Sequence, residues 1–562
     1  MRAMKQEKTP TFRIGLAMAG AVSAGAYTAG VLDFLFEALD AWYDARARGE
    51  NVPRHNISLD VASGASAGAM CATLLAIALP YDFPHARLDA QRKPNADAPK
   101  NPFYRAWVED IDIRPMLGTA DMAGGELPAL LNCAVIDDIL GLALDYQAPR
   151  RERPYVARPF VTRFSIGNLR GVPYDISYRG LKSASDTLYA HDDYLGFLVG
   201  GGGDGAAPAA CLKGHRPVST LASSKATDWA DLGGAALASG AFPIFLKPRT
   251  LKRDGNDYNA RNFGNPDAAD ASQRSVSVPP PWPKGEAPNP YEFVAVDGGI
   301  FNNEPLDLAR EVLAGDGPDG PADGLRANSA VMMIAPFVNR PGDGSQVPLG
   351  PPHQLILPML FSFIAQCRFR PADIALAHDP AVYNRFLVAP TGSTSPEAAQ
   401  YWIASGPMQG FFGFLHKEFR KHDYQLGRRN CQHFLQQYFR LPKDNPIVAY
   451  GYAGLPPDQA ATWLDQNGEL PIIPLIGDVA KEEPLCDWPV GQFQVDELMG
   501  AVSTRVDAIF RYYRESMAAD SGKGAVRWLT RAYLQVGWWA GRKQVLASLR
   551  GSMEDALKAQ QL

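Results

Sequence analysis

What most constrains this chain is a repeated alternation, in which short apolar runs the length of buried strands give way to longer segments with helical spacing. Phe12–Met18 precedes a helical pattern over Ala26–Arg48, in which Leu32, Leu35, Phe36 and Leu39 share one face. Ile57–Ala62 precedes Ala67–Leu79, which ends at Pro80, and Tyr291–Val296 precedes Pro305–Leu313. Ala330–Ile334 is a further strand, and Asp228–Ser239 a further helix. Residues 159–167 and 172–178 read as two strands joined by a turn at Leu169-Arg170-Gly171. Strands of this kind specify a mainly parallel sheet covered on both faces, an α/β fold of three layers.

Polar, Gly- and Pro-rich stretches interrupt the order at 91–101, 199–209, 253–290, 314–325 and 337–352. They divide the chain into an expected catalytic unit over 12–345, with inserts near 80–155 and 250–290, and a mainly helical region over 346–562. In the second region His353–Phe369 and Val495–Met517 read as helices. Whether that region caps the first unit or stands apart is open at this level.

The junction between Ile57–Ala62 and the next helix is Gly64-Ala65-Ser66-Ala67-Gly68, the spacing of a nucleophile elbow. A serine on a tight strand-to-helix turn needs neighbours without bulk, and here every neighbour is glycine or alanine. The serine also needs a base, because its hydroxyl is a poor nucleophile near neutral pH. The late histidines, His353, His378, His416, His422 and His433, follow no clear strand. Asp297 ends an apolar strand and is followed by Gly298-Gly299, so it is the better partner, against the alternative of an ordinary Asp-Gly turn. Desolvation beside an apolar substrate would raise its proton affinity from near 3.9.

Several function classes drop out. With 55 basic and 60 acidic residues there is no global reason to expect nucleic acid. Six cysteines without a C-x-x-C pair suggest neither a disulfide scaffold nor a zinc site, and the dispersed carboxylates suggest no calcium loop. No metal and no cofactor is therefore expected. The glycines of 20–30 lack the lysine of a phosphate loop, and residues 200–205 read as a connector. Basic residues before Ile14–Leu32 admit a secretory leader, but few large apolar residues are present, which favours a buried strand, turn and helix. The expected location is cytoplasmic, with secretion left open.

In this order the motifs resemble patatin-like phospholipases, lipid acyl hydrolases that use a Ser-Asp dyad. A small-residue oxyanion loop after the first strand is similar to residues 19–25, the elbow to Gly64–Gly68, the Ser-x-Ala-Phe-Pro segment to residues 236–248, and the Asp-Gly-Gly block to residues 296–305. The resemblance covers roughly residues 12–340. It implies Ser66 as nucleophile, Asp297 as base, and the N–H groups of Ala21, Val22 and Ala67 as the oxyanion hole, framed by Gly20, Gly25, Gly64, Gly68, Gly298 and Gly299. The chain departs from the family at Ala24, which stands where an arginine is usual. The implied activity is calcium-independent cleavage of fatty-acyl esters, of phospholipase A or lysophospholipase type. A serine esterase, thioesterase or transacylase on another acyl substrate, or a lipid-binding scaffold of weak activity, are the alternatives.

Residues 522–551 mix Lys523, Arg527, Arg531, Arg542, Lys543 and Arg550 with Trp528, Tyr533, Trp538 and Trp539, without an acid. A helix packed by its aromatics with a solvated basic face is the expected reading, and contact with an anionic membrane surface the other. Expected partners are an acyl-ester substrate and a peripheral membrane surface, with no nucleic acid.

Overall fold

A computed structural model describes residues 9–89, 91–177, 185–201, 210–264, 275–315, 320–337, 381–391, 403–484, 487–520 and 525–562, with isolated positions between 355 and 367. Its centre is a nine-stranded sheet. The strands are β1 (Thr11–Met18), β2 (Asn56–Gly64), β3 (Val156–Ser177), β4 (Ser185–Val199), β5 (Arg216–Val218), β6 (Arg249–Arg253), β7 (Tyr291–Asp297), β8 (Ser329–Ile334) and β9 (Arg385–Val388). They run in the order β9-β8-β1-β2-β3-β4-β5, and β7 pairs with both β3 and β6. Junctions from β9 to β3 are parallel, as is β4–β5, while β3–β4, β3–β7 and β6–β7 are antiparallel.

The helices that position the site are α1 (Gly25–Ala47), α2 (Ala67–Ala78), α3 (Ala134–Leu144), α4 (Thr227–Ser239), α5 (Leu306–Ala314) and α6 (Lys417–Gln437), followed by α7 (Asp496–Asp520) and α8 (Ala525–Gln560). Alternate residues of β1 serve opposite faces of the sheet. Phe12, Ile14, Leu16 and Met18 join the large core with α1 and α2. Ala17 joins a second cluster with Ala309, Val312 and Leu313 of α5. Helices therefore cover both faces, and β8 and the later part of β1 are apolar and buried on both sides.

One expected turn is corrected. Leu169-Arg170-Gly171 lies inside the single long strand β3, where Gly167 pairs with Asp192 and the next pair is Val172 with Ala190. The extra residues bulge out. Asn168 Oδ1 accepts the N–H groups of Arg170 and Gly171 at 3.0 and 3.1 Å, and Gly171 has φ +74°. The turn chemistry is real, but the sheet absorbs it as a bulge.

The sheet continues past residue 345, because β9 adds a parallel edge to β8. Helix α6 packs against α1 so closely that a Cβ on Gly30 would lie 1.9 Å from the Tyr424 carbonyl, and one on Gly427 2.1 Å from that of Tyr27. The crossing is clamped by buried Arg428, which bonds Asp33 at 2.6 Å, Glu483 at 2.7 Å and also Glu37. An uncompensated charge there would be expensive, so the four groups fix how α6 sits. Further on, α8 lies along α7, with Trp538 stacked on Phe510 at 4.4 Å and Arg542 bonded to Asp507 at 2.8 Å. Trp539 stands 79% exposed. Arg505 of α7 reaches the carbonyls of Gly118, Ala129 and Leu130 and the carboxylate of Asp121, joining the hairpin to the insert.

Most of the helix expected over 353–369, and most of the connectors at 200–205 and 337–352, lie outside the described residues. Among those described, the segment long and apolar enough to cross a membrane is Val22–Ala47, and 94% of its most apolar window is buried in the fold.

Candidate active site

Two strands end face to face on one edge of β3. Strand β2 runs parallel to β3 and reaches Gly64 opposite Phe164; β7 runs antiparallel to it and reaches Asp297 opposite Ile166. Asp297 thus meets the carboxyl end of β2 from the opposite direction, and does not come off a neighbouring parallel strand as the α/β pattern suggests. Ser66 Oγ donates a 2.6 Å hydrogen bond to Asp297 Oδ2 across 231 residues of sequence.

The elbow is strained in the manner its small neighbours imply. Ser66 has φ 52° and ψ −121°, outside the conformations that a side chain favours. A Cβ on Gly68 would lie 2.1 Å from the Met18 carbonyl, so α2 can begin this close to β1 only with glycine there. Gly64 backs onto Gly68 in the same way, and Gly298 onto the Ser165 carbonyl.

Asp297 is 2% exposed, and burial pushes its carboxyl up to about 6, against the opposing pull of the hydrogen bonds from Ser66 and from Gly299 N–H. The Gly299 amide donates to Oδ1 at 2.7 Å, which leaves Oδ2 aimed at the serine. The described late histidines lie elsewhere: His416 caps α6, His422 lies 3.0 Å from Asp423, and His433 is exposed on α6. His353 and His378 fall outside the described residues.

The loop after β1 forms the third part. Gly20 N–H donates to the Asn303 carbonyl at 3.1 Å, and a Cβ there would lie 3.2 Å from Ser66 Cβ, so the loop touches the nucleophile. Val22 has φ 48°, Val22–Ala24 forms one 3-10 turn, and Gly25 opens α1. The N–H groups of Ala21, Val22 and Ala67 meet no acceptor among the described residues. Those of Val22 and Ala67 open their helices, where such donors have no partner within the helix.

Ser239, which sequence reasoning passed over, supplies a further restraint. It is fully buried at the end of α4, and its Oγ accepts the Ser66 N–H at 2.9 Å. The amide of the nucleophile itself is thereby occupied, leaving Ala67 as the donor behind it. The signal was the serine of Ala238-Ser239-Gly240, visible as part of a motif but without an obvious task.

One turn beyond Ser66 along α2, a narrow apolar slot of about 60 Å³ opens, lined by Met70, Thr73, Trp107, Leu140, Gly233 and Leu237 among others. The Thr73 hydroxyl donates to the Ala69 carbonyl at 3.0 Å and is satisfied within its own helix. Met70 stands at the near end, its Cε 2.5 Å from where a Cβ on Gly240 would be. Among the described residues no cluster of three or more His, Cys, Asp or Glu converges as a metal site.

Comparison with known proteins adds kinship without a function. No protein-family profile matches the chain. A curated protein of Sinorhizobium fredii, described as uncharacterized protein y4iI, is 33% identical to it over 90% of this chain and 77% of the relative. The chain belongs to the y4iI family. Among solved structures, the crystal structure of VipD from Legionella pneumophila aligns over 98% of this chain and 88% of its own, at 12% identity and a TM-score of 0.23, too slight a likeness to argue from. Within the y4iI family the site is therefore read from its own geometry.

Proposed function

We propose that this protein is a serine lipid acyl hydrolase of phospholipase A or lysophospholipase type, acting through a Ser66–Asp297 dyad as patatin-like phospholipases do. The observation that carries the reading is the 2.6 Å hydrogen bond from a serine on a positive-φ elbow to a buried carboxylate whose proton affinity is raised toward neutrality. A base of pKa near the working pH is the one best matched to general-base catalysis.

With an acyl ester bound, Asp297 takes the proton of Ser66 as its oxygen attacks the carbonyl carbon. The oxyanion rests on the N–H groups of Ala21, Val22 and Ala67, where preorganised donors stabilise the charge as it forms. The ester bond breaks, and the leaving alcohol or lysolipid takes the proton from Asp297. Water then attacks the acyl-serine with Asp297 as base, the fatty acid departs, and the proton returns to Ser66. Both reacting groups come from the chain itself. The apolar slot beside α2 supports an acyl chain as the non-reacting part of the substrate. Such a substrate also implies peripheral contact with lipid surfaces.

A fluorophosphonate probe, followed by peptide mapping, tests the nucleophile, and a panel of phospholipids, lysophospholipids and simple esters tests the substrate. The wild type is expected to be labelled on Ser66 and to release fatty acid. Ser66→Ala is expected to lose labelling and at least about 10⁴-fold in kcat, as removal of a catalytic serine does elsewhere. Labelling that persists in Ser66→Ala overturns the assignment; activity confined to simple esters or thioesters moves the substrate class.

A further inference from the structure

The usual arginine of the oxyanion loop is absent, yet the loop is held in a strained shape, with Val22 at φ 48°. Its restraint comes from more than 380 residues away. Ser23 is fully buried, and its hydroxyl donates to the carbonyl of Gly410, in a turn that follows the described part of the chain at 403. Gly410 has φ +91°, and a Cβ there would lie 3.2 Å from the Ala21 carbonyl and 3.0 Å from the Phe337 ring, so the two backbones touch at the residue that offers an oxyanion donor. Gly413, three residues on, is packed against Ser23 itself.

That outer segment is anchored in turn. Buried Asp423 of α6 accepts the N–H groups of Ala404 and Ser405, at 2.8 and 2.9 Å, one on each carboxylate oxygen. Arg420 of the same helix holds the Gly413 carbonyl at 2.6 Å and the Val108 carbonyl at 3.1 Å. Since α6 is clamped to α1, and α1 begins at Gly25 where the loop ends, the loop is gripped at its exit and along its outer side by one rigid body.

We infer that residues 404–413 form the outer wall of the oxyanion loop, and that Ser23 is a positioning residue which aims the Ala21 and Val22 N–H groups through its bond to Gly410. The inference rests on the hydrolase reading above and assigns the C-terminal segment a part in it. Ser23 touches neither substrate nor nucleophile. Its hydroxyl sets where the donors point, and a displacement of about 1 Å in such a group can cost about 100-fold in rate.

The test is Ser23→Ala in the full chain, with active sites counted by fluorophosphonate titration. The rate per titrated site is expected to fall about 10- to 100-fold through kcat. KM should change less than about twofold, because the lost interaction belongs to the transition state. Affinity for an acyl trifluoromethyl ketone, whose adduct carries the oxyanion, should fall by the same factor as kcat. A merely structural role would lower the number of titrated sites and leave the rate per site alone. Gly410→Ala, which presses on Ala21 from the other side, should repeat the pattern. A rate per site and an inhibitor affinity within about twofold of wild type in Ser23→Ala would overturn the inference while leaving the hydrolase reading intact. A wild type that neither reacts at Ser66 nor cleaves any ester would remove both.

Discussion

The two halves of the site are built by different means. Ser66 and Asp297, the proposed nucleophile and base, are placed by strand register: β2 and β7 end two residues apart on the same edge of β3, and Gly68 and Gly298 allow backbone contacts that any side chain would prevent. The oxyanion half has no such frame. Its loop is one 3-10 turn with a strained valine, stabilised by a side-chain hydroxyl bonded to a distant segment. A sheet edge sets positions through many cooperating backbone bonds, whereas the loop relies on a few contacts, among them the Gly20 N–H bond to Asn303 and the Ser23 hydroxyl bond to Gly410, so the first half should resist perturbation more than the second.

The largest effect should come from the register-fixed half. Asp297→Asn keeps the Oδ1 acceptor for the Gly299 amide, but puts an NH2 in place of the Oδ2 that accepts from Ser66 and cannot take a proton. Loss of about 10³-fold or more in kcat is expected, by comparison with carboxylate-to-amide changes in related machinery. The same change should raise stability. A carboxylate whose folded value stands near 6 against an ordinary 3.8 binds its proton more tightly in the fold, so its contribution is full below about pH 4 and is lost as pH rises through 6. Above that the buried charge costs up to about 3 kcal/mol, which the amide removes. Denaturation of wild type and Asp297→Asn at pH 8 and pH 4 checks this: the variant should be the more stable at pH 8, with the gain shrinking toward pH 4. Equal stability at both values would mean that the carboxyl is not held as described.

The wild-type pH profile is the next and smaller effect. Hydrolysis needs the ionised base, so kcat/KM should fall about tenfold per pH unit below an apparent value near 6. Ser23→Ala should leave this acid limb where it is while lowering the plateau. If the limb moved with Ser23, the two halves would be coupled and the contrast between them would fail.

This contrast also explains what could be read in advance. The alternation of strands and helices, the elbow and the Asp-Gly-Gly block are local patterns, and β1, α1, β2, α2, α4, β7, α5 and β8 each lie within a residue or two of where the pattern put them. The hydrogen-bonded meeting of Ser66 and Asp297 was expected because both follow strand ends, which an α/β sheet gathers on one edge. The antiparallel entry of β7 was not, since Tyr291–Val296 followed by a helical segment repeats the strand-then-helix pattern of the parallel strands. Nor was the Leu169-Arg170-Gly171 bulge, whose residues are those of a free turn. Ser23, Ser239 and Gly410 are ordinary small residues until partners hundreds of positions away are known. Periodicity reports local geometry, whereas the contact of Gly410 and Gly413 with the loop after β1 is a long-range one.

The slot along α2 belongs to neither half, and it gives the mildest test of their independence. Leu140 of α3 lines it opposite Gly233 of α4, where a Cβ would meet the leucine at 2.8 Å. Leu140→Trp should fill the slot and Leu140→Ala should enlarge it, moving the preferred acyl length in opposite directions. Since one methylene in an apolar pocket is worth about 1–3 kcal/mol, a shift of tenfold or so in relative kcat/KM between neighbouring chain lengths is expected. Acetyl esters, too short to enter, should be cleaved by both variants at the wild-type rate, because register sets the dyad and the outer segment sets the donors without reference to this wall. Loss of acetyl-ester activity in both would tie α3 to the chemistry itself. A changed chain preference at constant acetyl-ester rate would confine the slot to substrate selection.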